Sequence, residues 1–67
     1  MLTNGRITNW GGRGRFCFVK PDADGPDIFV HSTLGVDASS HPVGTRVRVA
    51  FKVGDRGPRA VAVEVLP

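Results

Sequence analysis

Phe16-Cys17-Phe18-Val19-Lys20 and Asp27-Ile28-Phe29-Val30-His31 are two short runs whose alternation decides how this chain folds. Side chains at i and i+2 of a strand face the same way. Phe16 and Phe18 therefore share one face and Cys17 and Val19 the other, while Phe29 and His31 are set against Ile28 and Val30. Pro21 and the turn-rich Asp22-Ala23-Asp24-Gly25-Pro26 separate the two runs, which reads as strand, turn, strand.

Three more strands flank this pair. Arg6 to Trp10 precedes it and is closed by Gly11-Gly12, and Phe16 to Lys20 and Asp27 to His31 follow. Arg46 to Val53 alternates Arg46, Arg48 and Ala50 with Val47, Val49 and Phe51, and Gly54-Asp55-Arg56-Gly57-Pro58 turns it into Ala60 to Leu66, where Val61, Val63 and Val65 share a face. The connector from Ser32 to Thr45 has no clear periodicity and holds one helical turn at most. A flat five-stranded sheet would expose an apolar face and two edges, and closure into a barrel removes both. The expectation is an all-β, five-stranded antiparallel OB-type barrel over residues 1–67, with an SH3-like barrel the second choice.

A barrel has one inside. If the rings point inward, Cys17, Val19, Ile28 and Val30 are stranded on the surface and His31 enters a small core without a partner. If those four instead join Ile7, Val47, Val49, Val61 and Val63 inside, the core is built from compact branched residues and Phe16, Phe18, Phe29 and His31 are exposed. A lone Phe is ordinarily a core residue. Two ring-bearing pairs at matched parity, each with good aliphatics on the opposite face, favour the exposed arrangement. Such a face can stack unpaired bases, because every base has a π-face.

Size and charge bear on the same point. With 67 residues, 9 Gly and 5 Pro, burial roughly balances chain entropy, so little interior is left for a deep catalytic pocket. Residues 1 to 20 carry Arg6, Arg13, Arg15 and Lys20 with no acid, residues 21 to 45 carry four Asp with no Lys or Arg, and five of the last 22 residues are basic against two acids. If the first and last segments lie side by side, they form a basic surface suited to a polyanion, with a solvated surface as the competing reading. Seven of the nine bases are Arg, which suits phosphate forks and stacking on bases. No apolar run reaches the roughly 20 residues that span a bilayer, and MLTNGRITNW lacks the apolar core of a signal peptide, so a cytoplasmic chain with no membrane partner is expected. Met1 and a pattern that fills both ends suggest a complete small protein, although an excised domain would give the same pattern.

The sequence resembles the cold-shock domain family. Gly5-Arg6-Ile7-Thr8-Asn9-Trp10-Gly11-Gly12-Arg13-Gly14-Arg15-Phe16-Cys17-Phe18-Val19 resembles that family's G-K-V-K-W-F-N-x-x-K-G-F-G-F-I, Asp27-Ile28-Phe29-Val30-His31-Ser32 its D-V-F-V-H-x-S, and Gly54-Asp55-Arg56-Gly57-Pro58-Arg59-Ala60-Val61-Ala62-Val63 its G-x-x-G-P-x-A-x-x-V. The three motifs span nearly the whole chain in order. The resemblance implies binding of single-stranded RNA or DNA with little sequence preference, in an RNA chaperone or a transcription antiterminator. It also implies stacking on Phe16, Phe18, Phe29 and His31, with Arg56 and Pro58 bordering the same groove. Asn9 stands where the family has an exposed Trp, and Trp10 follows one position later, either to take over that stacking or to turn partly inward. The connector has no Phe, so a shorter platform is expected, offset by Arg13, Arg15 and Arg59 near phosphates. Asp27 is expected to accept a base-edge hydrogen bond at the groove rim.

Other chemistry has weaker support. Cys17 with His31 or His41 could form a nucleophile and base, but parity sends Cys17 to the core, where a structural thiol is expected. One cysteine and two distant histidines give no zinc spacing, and Asp22, Asp24 and Asp27 are turn formers rather than a Ca²⁺ loop. His41 reads as a solvated loop residue and Gly11 to Gly14 as a turn. No catalytic residue, metal or cofactor is expected. The alternative to a nucleic-acid binder is a small-barrel protein-interaction module using the same face; a monomer is expected, with strand exchange through the connector as the route to a dimer.

Overall fold

The computed structural model describes residues 1–67 as five strands with no α-helix: β1 Leu2–Gly11, β2 Phe16–Pro21, β3 Ile28–His31, β4 Arg46–Gly54 and β5 Gly57–Val65. They close into one barrel in the order β1-β2-β3-β5-β4, and β4 returns to β1. The antiparallel expectation needs one correction. The β3–β5 seam is parallel and consists of the single pair Phe29 and Arg59, because the chain reaches β5 only after crossing through the connector and β4. The connector holds one 3₁₀ turn, Ser32–Leu34. No helix is long and apolar enough to cross a membrane.

β1 closes the barrel by serving two neighbours. Its first part, Leu2 to Arg6, pairs with β4, and its later part, Gly5 to Gly11, pairs with β2. Gly5 sits where the two ladders overlap, and a Cβ there would run into the Lys20 carbonyl and the Val19 side chain. Only glycine lets the backbones approach that closely.

The interior is aliphatic. Ile7, Cys17, Val19, Ile28, Val30, Val36, Val47, Val49 and Ala60 form the buried cluster, with Trp10, Leu34, Phe51 and Val63 packed against it. The aliphatic faces of β2, β3 and β4 point inward as their alternation predicts. β5 departs from its pattern. Ala50 pairs with Ala62 but Phe51 with Ala60, so Val61 is an extra, bulged residue. The bulge turns Ala60 in and leaves Val61 52% exposed, while Val63 is half-buried and Val65 lies at the open end of the barrel.

Candidate nucleic-acid interface

The outer face of β2 and β3 carries Phe16, Phe18, Phe29 and His31, all half-buried. The antiparallel register sets Phe18 opposite Phe29 and Phe16 opposite His31. Phe16 and Phe29 lie 5.4 Å apart at 28°, a stacked pair, and Phe18 stands edge-on to both at 5.9 Å. This geometry suits aromatic quadrupoles and fixes the rings against one another without burying them. The ring of Phe16 also rests on the backbone of Gly11 and Gly12, where any Cβ would strike it.

His31 is held by its own turn. Its Nδ1 accepts the Thr33 backbone N–H at 3.2 Å and lies 3.0 Å from the Thr33 hydroxyl. With Nδ1 accepting, the neutral ring carries its proton on Nε2, which leaves that N–H as the donor for another group.

Arginines surround the rings. Arg59, paired with Phe29 across the β3–β5 seam, holds its guanidinium 5.2 Å from the Phe29 ring centre. Phe18, Phe29, Arg56, Gly57, Pro58 and Arg59 line an open groove of about 320 Å³. Arg13 and Arg15 are exposed in the β1–β2 hairpin next to Phe16. Gly12 and Arg13 both have φ near +59°, as a type I′ turn requires, and the Gly14 N–H closes it on the Gly11 carbonyl at 3.0 Å. The Ser32 N–H donates to the Arg15 carbonyl at 2.8 Å, tying this hairpin to the end of β3. Asp27 is exposed one residue before β3, with no cation within 4 Å.

The carboxylates lie elsewhere. Arg46 forms a two-pronged pair with Asp22 at 2.6 and 2.7 Å, and Arg48 lies 3.6 Å from Glu64. The Arg46 hydrogen bond holds the Asp22 carboxyl below the usual range, helped by the charges of Arg46 and Arg6. The other five Arg and both Lys have no carboxylate within 4 Å. β1 and β4 are neighbours, so the two basic segments of the sequence do lie side by side.

Trp10 is not part of the ring face. It pairs with the buried Cys17, packs against the core and donates its indole N–H to the His41 carbonyl at 2.9 Å. The cause is a bulge at Thr8: Ile7 pairs with Val19 but Asn9 with Phe18, which puts Ile7 and Trp10 on the same side and Asn9 beside the rings. His41 is likewise more than a solvated loop residue, since its Nδ1 also accepts the Asp37 N–H at 3.2 Å. Sequence reasoning missed Asn9, Lys20 and Lys52 as neighbours of the face; the hairpin registers are the signal that places them.

Burial pushes the Cys17 thiol up to about 11, so it is protonated at neutral pH and no nucleophile. No three His, Cys, Asp or Glu side chains converge as metal ligands. No protein-family model matches this chain, and no curated protein is significantly similar to it.

Proposed function

We propose that this protein is a cytoplasmic, non-enzymatic binder of single-stranded RNA or DNA, an OB-type barrel of the cold-shock kind. The observation that carries the reading is the ring cluster of Phe16, Phe18 and Phe29, left on an outer face while valines fill the core, among cations that have no carboxylate partner. In OB-type barrels, oligonucleotides bind on the strand 2–3 face between the first and last hairpin loops. Here those loops carry Arg13, Arg15 and Arg56. Bases would stack on the rings, the His31 Nε2–H and Asp27 would meet base edges, and Arg13, Arg15, Arg56 and Arg59 would meet phosphates. A protein partner would leave so many unpaired cations around the rings without purpose, which favours the nucleic-acid reading over an interaction module. Weak, exchangeable stacking on unpaired bases disfavours hairpins without ATP, as an RNA chaperone or antiterminator needs.

Titration of fluorescein-labelled oligo-dT and oligo-U by anisotropy tests this. Saturable binding is expected, with log K falling by about 0.7 per phosphate for each decade of salt. Phe18→Ala and Phe29→Ala should each weaken it about fivefold to a hundredfold, the worth of one stacked base. Absence of salt-sensitive binding by the wild type, or indifference to both substitutions, overturns the proposal.

A further inference from the structure

We propose that the bound strand does not end at the rings but continues over Arg59 onto β4, where Lys52 takes a further phosphate; this rests on the nucleic-acid reading above. The register carries the argument. Asn9 pairs with Phe18, Phe18 with Phe29, Phe29 with Arg59, and Arg59 with Lys52. One row of side chains thus crosses β1, β2, β3, β5 and β4 in turn: amide, ring, ring, guanidinium, ammonium. Neighbouring strands lie about 4.8 Å apart, so Lys52 stands roughly 10 Å beyond Phe29 along this row.

Lys52 and Arg59 are like charges placed directly opposite, an arrangement that costs stability in a sheet. Neither has a carboxylate within 4 Å, whereas Arg46 and Arg48 on the same strand as Lys52 do. Beside the pair lies an open groove of about 460 Å³ whose rim carries Lys52, Arg56 and Arg59, with Asp55 as its one acid. Its floor is apolar: Val53 is 58% and Val61 52% exposed, the latter turned out by the β5 bulge. Cations above exposed aliphatic surface match the two sides of a nucleotide, phosphate outward and sugar or base against the valines. Arg56 and Arg59 line this groove and the ring groove alike, so the two form one path over the hairpin.

The test compares Lys52→Gln with wild type on labelled oligo-dT of about four and about twelve nucleotides, lengths that bracket the sites of such barrels. Lys52 is exposed, and a thermal melt checks that the fold is kept. The short oligomer should bind both proteins equally. For the longer one, the salt slope should fall by about 0.7 and affinity about fivefold at 0.1 M salt, the loss of one phosphate contact, with Lys52→Arg restoring both. An unchanged slope for the longer oligomer, while Phe29→Ala still weakens binding, overturns the extension and leaves the ring site standing. An equal loss at both lengths also overturns it, since Lys52 would then belong to the ring site. If the wild type binds neither oligomer, both proposals fall.

Discussion

Gly11→Ala should separate binding from stability. Gly11 lies in the extended backbone of β1 opposite Phe16, and its φ is not positive, so alanine is permitted there by the chain itself. The obstacle is the ring. A Cβ on Gly11 would stand 2.5 Å from Cζ and 2.6 Å from Cε1 of Phe16, whereas carbon atoms rest at roughly 3.5–4.0 Å. The half-buried ring must therefore retreat by about 1 Å or more. That movement breaks its 5.4 Å stack on Phe29 and its 5.9 Å edge contact with Phe18. Loss of one stacking surface is worth about 1–3 kcal/mol, so the oligo-dT dissociation constant should rise about fivefold to a hundredfold. Stability should hold or rise slightly, because glycine within a strand costs about 0.5–1 kcal/mol relative to alanine. The assay is an anisotropy titration beside urea melts, repeated in a Phe16→Ala background, where Gly11→Ala should have no further effect. If Gly11→Ala weakens binding equally with and without the Phe16 ring, the reasoning is wrong.

Three further outcomes follow from the same geometry. Arg13→Gly removes a non-glycine residue from φ +59° and should hold or raise stability by up to about 1 kcal/mol while weakening binding about fivefold at 0.1 M salt; a loss of stability in the melt would contradict the turn geometry. Because burial favours the neutral Cys17 thiol, stability from this group is intact below pH 9 and lost as pH rises toward about 11. Urea melts at pH 8 and 10.5 should show wild type losing about 2 kcal/mol more than Cys17→Ala, and parallel losses would refute the assignment. Trp10 faces the core side with its N–H on the His41 carbonyl, so its emission should report unfolding and change little when oligo-dT saturates the protein; strong quenching on binding would place it on the ring face after all.

The strands and the side each presents were legible wherever local alternation decides burial, as in Phe16 to Lys20, Ile28 to His31 and Val47 to Phe51. The ring face was legible for the same reason, since Cys17, Val19, Ile28 and Val30 supply a better interior than the rings do. The bulges were not. One extra residue at Thr8 or Val61 reverses every side chain beyond it, and each bulge arises from the coiling needed to close the barrel rather than from propensity at that position. This is why Trp10 and Val61 ended on the faces opposite to those their strands suggested. The parallel β3–β5 seam was hidden for a related cause: it joins elements separated by the connector and β4, and no turn chemistry marks it. Lys52 escaped notice because its meaning lies in its partner across the hairpin, Arg59.

The central claim is that this barrel binds single-stranded nucleic acid on the β2–β3 face, and chemical-shift mapping with matched oligo-U and oligo-dT tests it most directly. Saturable shifts are predicted for Phe16, Phe18, Phe29, His31, Arg56 and Arg59, with none at Arg48, Ala62 and Glu64 on the far side. Shifts centred on that far side, or no shifts with either oligomer, would contradict it.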